Sequence, residues 1–319
     1  MRLVGDIGGT NVRFAIAEPG RHPDKERKQP IARYPGLVEA AQDYLSGAPM
    51  VEEAVLAVAG PVLGDEVKFT NSAWGFSIDD VRKRLGLRRM VVVNDLVAQG
   101  LAIAALRADE IATLKPGTRD PGRPALVIAP GTGLGVAFLL NNAGTLSGIP
   151  SEAGHATFAP MDPVQAEILS HLRGEYGHVS VERLLSGSGL LAIATTLAKI
   201  NGQIIDVRDP RDVSARAAAD QCPTCREAIR IFSSILGSTA GNLALTLLTG
   251  GGIFISGGLC RGLRSLWDVE ALTEAFAAKG RLKSYLDGIP IDQILRPHAG
   301  LLGAALYAES PSRPASSRN

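Results

Sequence analysis

The order of apolar runs predicts an α/β protein of two halves, each built on a mostly parallel sheet. Three observations carry this. Short β-branched runs alternate with segments of helical apolar spacing. A strand–Gly/Thr turn–strand unit stands at residues 3–17 and again at 125–140. The 319 residues, 45% hydrophobic and 20% charged, exceed a comfortable single domain and supply apolar material for two cores. The second unit shares the grammar of the first but little of its sequence, which predicts an internal structural duplication.

In chain order, residues 3–7 and 12–17 are apolar runs around Gly8-Gly9 and read as a hairpin. Residues 54–59 form a buried strand ending at Gly60-Pro61, and 66–70 an edge strand. Residues 78–85 have helical spacing with Ser77 as N-cap; 90–93 are a short buried strand; 96–106 are an Ala/Leu-rich helix. The polar, Pro/Gly-rich segment 115–124 reads as a surface loop near a domain boundary. Strands then restart at 125–129 and 134–140, followed by helices at 163–176, 189–200 and 226–248, a strand at 253–256 and a last helix at 299–308. The expected division is a small domain of 1–106 plus 298–319 and a large one of 107–297, with a disordered Ser/Pro/Arg-rich tail at 309–319.

Lys plus Arg number 33 and Asp plus Glu 32, a net charge of +1, so no basic excess points to nucleic acid. No apolar run reaches the roughly 20 residues that span a bilayer, and Asp6 with Gly8-Gly9 comes too early for a secretory segment. A soluble, cytoplasmic protein is expected. Three cysteines in a chain this long do not make a disulfide framework. Cys222-Pro-Thr-Cys225 has metal-like spacing without a second pair, so packing at a helix start is the favoured reading.

Three glycine-rich turns each follow an apolar strand: Gly8-Gly9-Thr10, Gly131-Thr132-Gly133 and Gly257-Gly258. Glycine lets the backbone approach a phosphate and lets successive N–H groups form an anion nest. A single such turn reads equally as a tight hairpin; three after buried strands point to a nucleotide. Thr10, Asn11 and Thr132 add side-chain donors. Asp6 ends a buried strand beside the first nest, where a phosphate would repel it unless Mg²⁺, held through water, lay between. There is no GxxxxGK[ST] loop and no protein-kinase motif set, and a strand rather than a helix follows Gly131, which removes the P-loop and dinucleotide-binding readings. Asn94-Asp95 closes a buried strand and opens a helix; Asp95 is either a helix cap or a general base suited to taking a hydroxyl proton in phosphoryl transfer. Glu152, His155 and Glu182 offer acceptors and a donor-acceptor of the kind that binds sugar hydroxyls, or else a surface Glu and a loop His. Thr70 to Trp74 is a further polar rim or a turn.

Together these motifs resemble the bacterial glucokinase family, within the actin-like, hexokinase-type ATPases. The resemblance rests on DIGGTN at 6–11, AGPV at 59–62, TNSAWGFS at 70–77, NDLVAQGLA at 94–102, GTGLG at 131–135, SEAGHATFAP at 151–160, GHVSVERLLSGSGL at 177–190, GGIFISGGL at 251–259 and GLLGAA at 300–305. It implies two actin-like (ribonuclease H-like) α/β domains flanking an active-site cleft, and ATP-dependent phosphorylation of glucose at its 6-hydroxyl. It implies Asp95 as general base, with Asn94, Glu152, His155 and Glu182 on the sugar. It implies nucleotide contacts along Gly5, Asp6, Ile7, Gly8, Gly9, Thr10 and Asn11 and at Gly131, Thr132 and Gly133, with Gly257-Gly258 near the adenosine, Mg²⁺ at Asp6, and a homodimer. The related ROK group carries a Cys-rich zinc motif after its Glu-x-Gly-His segment; here residues 156–160 hold no cysteine, so no structural zinc is expected. Ala153 stands where the family often has Gly.

Two other enzyme readings stay open: a broader hexose kinase that takes mannose or glucosamine, and a polyphosphate-using glucokinase. Among non-enzymes, a sugar-responsive repressor would need an N-terminal helix-turn-helix ahead of the first strand, and an actin-like filament or chaperone ATPase would need long insertions.

Overall fold

The first sheet is assembled from β1 (Arg2–Ile7), β2 (Asn11–Ala17), β3 (Asp24–Pro30), β4 (Glu53–Val58) and β7 (Arg89–Asn94), in the spatial order β3-β2-β1-β4-β7. The computed structural model describes residues 1–60, 62, 64–69, 74–142 and 144–307. The expected tail at 309–319 and residues 70–73 of the expected rim lie outside these. Strands β1, β2 and β3 run antiparallel, whereas β1, β4 and β7 are parallel. α1 (Leu37–Leu45) precedes β4, and a small ribbon of β5 (Glu66–Lys68) and β6 (Gly75–Ser77) leads into α2 (Ile78–Arg84). Ser77 caps α2 as expected, its hydroxyl accepting the Asp80 N–H at 3.1 Å. α3 (Asp95–Leu101) follows β7 directly; its continuation at Ala102–Ala105 tightens to a 3-10 turn, short of the expected single helix to 106.

Strand alternation divides this sheet into two different faces. One carries the large side chains Leu3, Phe14, Leu56 and Met90 and is covered by Val38, Ala41 and Tyr44 of α1 and Val81 of α2. The other carries Val4, Ala15, Val55, Ala57 and Val93, and is covered by Ala98 of α3 and by Leu301, Ala304 and Ala305 of α11 (Ala299–Leu306). Small residues there let the two helices approach closely. A Cβ on Gly303 of α11 would fall on the Ala98 carbonyl. Arg2, buried at the start of β1, donates to the carbonyls of Ala305 (3.2 Å) and Tyr307 (3.0 Å), which joins the first strand to the end of the last helix.

The second sheet has the order β11-β10-β9-β12-β13-β8, from β8 (Ile111–Lys115), β9 (Ala125–Pro130), β10 (Leu134–Asn142), β11 (Thr145–Ser151), β12 (Ile253–Ile255) and β13 (Ile291–Ile294). β9, β12 and β13 are parallel and β8 runs antiparallel to β13. With β8 set aside, the order repeats that of the first sheet strand for strand, which is the expected duplication. Its helices are α4 (Pro163–Tyr176), α5 (Gly187–Ile200), α6 (Pro210–Ala218), α7 (Pro223–Leu247), α8 (Gly258–Gly262), α9 (Val269–Ala277) and α10 (Lys283–Asp287). α7 and α9 pack through Gly237, where any Cβ would meet the Leu272 carbonyl. Cys222 caps α7, its sulfur accepting the Cys225 N–H at 3.2 Å, which is the helix-start packing read from the sequence.

The chain divides into two compact units. The first comprises Met1–Leu106, Phe138–Pro150 and the chain from Arg296 onward; the second comprises Arg107–Ala137 and Ser151–Leu295. The piece 138–150, absent from the division expected at 106 and 297, falls in the first unit because it packs on α3. Leu139 abuts Gly100, and Gly148 abuts Val97, with no room for a Cβ on either glycine.

Candidate active site

In the first unit, β1, β4 and β7 end in register, with Ile7 beside Val58 and Val58 beside Asn94. Their carboxyl ends therefore deliver the Gly8–Thr10 turn, Gly60 and Asn94-Asp95 to one edge, where parallel α/β sheets bind ligands. Asn94, not Asp95, caps α3: its Oδ1 accepts the N–H groups of Leu96 (2.9 Å) and Val97 (3.2 Å), and its Nδ2 donates to the Gly60 carbonyl at 3.3 Å. Asp95 is the first residue of the helix proper, half-buried, with Oδ1 3.0 Å from the Leu96 N–H. Because the cap is supplied by its neighbour, the Asp95 carboxylate is not required to close the helix.

The Gly8–Asn11 segment closes on itself, Gly8 N–H donating to the Asn11 carbonyl at 3.0 Å, and the Thr10 carbonyl accepts the Ile31 N–H at 3.0 Å. The exposed Gly9 and Thr10 are the groups left facing outward. Two expected nucleotide contacts are instead interior. Gly5 is buried mid-strand, where a Cβ would strike Leu56 and crowd Phe14, and Ile7 is fully buried in the large-residue face. Alternation forces this, because only Asp6 of the three points to the small-residue face.

There Asp6 lies against Gly300 of α11. Burial pushes its carboxyl above the usual carboxylate range, Arg13 opposes the shift, and Glu26 adds to it. Among the described residues no hydrogen bond or ion pair is made to that carboxylate. A packed carboxylate without a direct hydrogen bond or ion pair, beside a phosphate-type turn, fits a divalent cation, and Mg²⁺ keeps most of its waters, so one carboxylate suffices. The sign of the shift sets a test. The protonated form is favoured in the folded state, so the contribution of Asp6 to stability is greatest at low pH and falls as pH rises through its folded-state value. The ligand-free Asp6→Asn protein is therefore expected to melt above the parent at about pH 7, the difference closing toward about pH 4. Equal melting temperatures at neutral pH would contradict the burial cost.

In the second unit, β9 and β12 run parallel with Ile128 beside Ile255, and β9 continues two residues further to Pro130. The Gly131–Gly133 turn follows β9, closed by Gly131 N–H to the Gly133 carbonyl at 2.8 Å, and the Gly131 carbonyl receives the Gly187 N–H of α5 at 2.8 Å. Thr132 is exposed at its tip. After β12, Gly257 takes φ 101° and leads into α8, where a Cβ would meet the Pro130 carbonyl, so the expected turn is a strand-to-helix elbow that only glycine fits.

Glu152 precedes a 3-10 turn, Ala153–His155, and Glu182 sits in another, Val181–Arg183. Backbone bonds sew the two turns together, Val181 N–H to the Ala156 carbonyl at 2.9 Å and Phe158 N–H to the Val179 carbonyl at 3.0 Å. Glu152 and His155 are both exposed, Oε2 and Nε2 3.8 Å apart. Ala153 is accommodated, whereas Gly154 is held against the Leu134 carbonyl and admits no side chain. Glu182 is half-buried, and its Oε2 accepts the Leu134 N–H at 2.9 Å, immediately after Gly133.

The sequence reading missed a cavity of about 820 Å³ lined by Pro210, Ala215 and Ala218 of α6 and by Gly258, Leu259 and Leu266. Its volume lies in the range of small-molecule and cofactor pockets. A signal existed: Asp209-Pro210 with Asp212 is a capping box with proline at the first helical position, and it marks the start of α6.

A family model described as Glucokinase matches residues 3–311. The chain belongs to the glucokinase family. The glucokinase of Aromatoleum aromaticum is 41% identical over 308 residues, covering 95% of this chain and 93% of the relative. That of Nitrobacter hamburgensis is 40% identical, with 96% of each covered. The crystal structure of a glucokinase from an Antarctic psychrotroph superposes with a TM-score of 0.87 at 32% identity, covering 96% of this chain and 97% of that one. The family resemblance read from the motifs therefore holds across the chain, and the fold is the expected two-part actin-like α/β architecture. Among the described residues no helix is long and apolar enough to cross a membrane.

Proposed function

We propose that this glucokinase-family chain transfers the terminal phosphoryl group of ATP to the 6-hydroxyl of glucose, giving glucose 6-phosphate and ADP. The observation that carries the reading is the half-buried Asp95 carboxylate at the start of α3, just past the end of β7, where Asn94 supplies the helix cap. Phosphoryl transfer asks the protein mainly for alignment, charge neutralisation and a carboxylate to accept the alcohol proton. Asp95 is assigned that proton. Asn94, Glu152, His155 and Glu182 bind and orient sugar hydroxyls, each OH donating to a carboxylate or accepting from an amide or imidazole. Gly9, Thr10, Asn11, Thr132 and Gly133 face the phosphates with backbone and side-chain donors. Asp6 would hold Mg²⁺, which when bound offsets the phosphate charge. The domains are taken as the two units, and a cytoplasmic homodimer is the proposed working form.

The cavity beside Gly258 favours a nucleoside donor over polyphosphate, which has no base to fill it. In a coupled assay of glucose 6-phosphate formation with Mg²⁺, ATP is expected to support turnover and polyphosphate to give none above background. Equal rates with both donors would remove the assignment of the cavity to the nucleoside of the donor. The same assay across glucose, mannose and glucosamine ranks them by kcat/KM and tests the strictness of Glu152 and Glu182 for glucose.

A further inference from the structure

We infer that Glu182 is a positioning residue for the phosphate-binding turn as well as a sugar ligand, so that sugar and nucleotide occupancy are coupled through one carboxylate. The inference rests on the kinase reading above and deepens it. Its parts all lie in the second unit. Glu182 Oε2 accepts the Leu134 N–H at 2.9 Å, on the residue that leaves the Gly131–Gly133 turn and enters β10. Gly133 is the turn's gap for this side chain: a Cβ there would collide with Oε2 and Cδ of Glu182. The other end of the turn is fixed by Gly187 N–H on the Gly131 carbonyl. The start of α5 and the Glu182 carboxylate thus hold the turn from its two ends.

A carboxylate has about four lone-pair sites. Oε2 can keep the Leu134 N–H while Oε1 accepts a sugar hydroxyl. A sugar that fixes the carboxylate then also fixes the turn that receives phosphate, and a nucleotide that orders the turn fixes the carboxylate for sugar. Such coupling is reciprocal by linkage. Glutamine in place of Glu182 keeps one acceptor oxygen for the Leu134 N–H and turns only N–H donors toward the sugar, so a hydroxyl that donated to the carboxylate loses that bond and the charge that joins the two sites is gone. Alanine in place of Gly133 keeps the carboxylate and forces it off Leu134.

The test is calorimetric titration of glucose with and without a saturating non-hydrolysable ATP analogue and Mg²⁺. For the parent protein the analogue is expected to tighten glucose binding by about 5–150-fold, and glucose to tighten the analogue equally. In Glu182→Gln and in Gly133→Ala that factor is expected to fall to about one. Hydrogen exchange needs no variant: glucose alone should slow exchange of the Leu134 amide. If the parent binds both ligands independently, or the variants bind sugar more weakly with the factor unchanged, or glucose leaves the Leu134 amide unprotected, the inference is overturned and the kinase reading stands. If the parent binds neither ligand, the kinase reading falls and takes the inference with it.

Discussion

Asp95→Asn is expected to lose about 10²–10⁴-fold in kcat, the range for removal of a general base, while glucose still binds. The substitution keeps the volume and one acceptor oxygen, so the contact of residue 95 with the Leu96 N–H at 3.0 Å can persist. The cap itself belongs to Asn94, through Leu96 and Val97, and is untouched. What goes is a negative charge at the first helical position, worth about 0.3–1 kcal/mol of helix stability, and the ability to take a proton. A large kcat effect with a small change in melting temperature separates these two roles. Near-normal turnover in the folded variant would return Asp95 to the ordinary helix-start reading.

Gly303→Ala should have the second large effect, far from any reacting atom. The added methyl would land on the carbonyl oxygen, carbonyl carbon and Cα of Ala98, all backbone, so no rotamer change relieves it. Overpacking of this kind costs about 1–3 kcal/mol. α3 is already fixed on its other sides by Leu139 at Gly100 and by Gly148 at Val97, so displacement must pass to its N-terminus, where Asn94 and Asp95 stand. Gly237→Ala in α7 supplies the comparison, because its Cβ would meet the Leu272 backbone in the second unit. Both variants should lose stability in urea titrations, but only Gly303→Ala should also lose kcat per folded molecule. An unchanged kcat in folded Gly303→Ala would show that α3 does not transmit the strain to Asp95.

The site motifs were legible because they sit where chain chemistry is local. A strand of apolar residues, a Gly/Thr turn and a capping Asn announce themselves within ten positions, as at 3–11 and 90–97. β3 was not legible: Asp24–Pro30 is almost wholly exposed and charged, and it is a strand because β2 offers it an edge to pair with. The interior placement of Gly5 and Ile7 follows from which face each residue takes, and a glycine-rich motif read as a string does not show that. The contacts at Gly100, Gly148 and Gly303 join segments distant in the chain, so nothing beside any one of these glycines in the sequence names its partner. The Leu134–Glu182 bond is the same case, between residues 48 apart in the chain.

The clasp between Arg2 and the carbonyls of Ala305 and Tyr307 also orders events during synthesis. Both stretches of the second unit, Arg107–Ala137 and Ser151–Leu295, are made by Leu295, whereas the first unit must wait for the segment from Arg296 onward. A nascent chain that has emerged as far as β13 still lacks α11, the helix that lies against Asp6 and braces α3. Domains tend to fold as units in the order they emerge, yet here the part translated first is completed last. Until α11 emerges, the small-residue face of the first sheet has only α3 over it, and a ribosome stalled before residue 299 would display the rest of that face to chaperones.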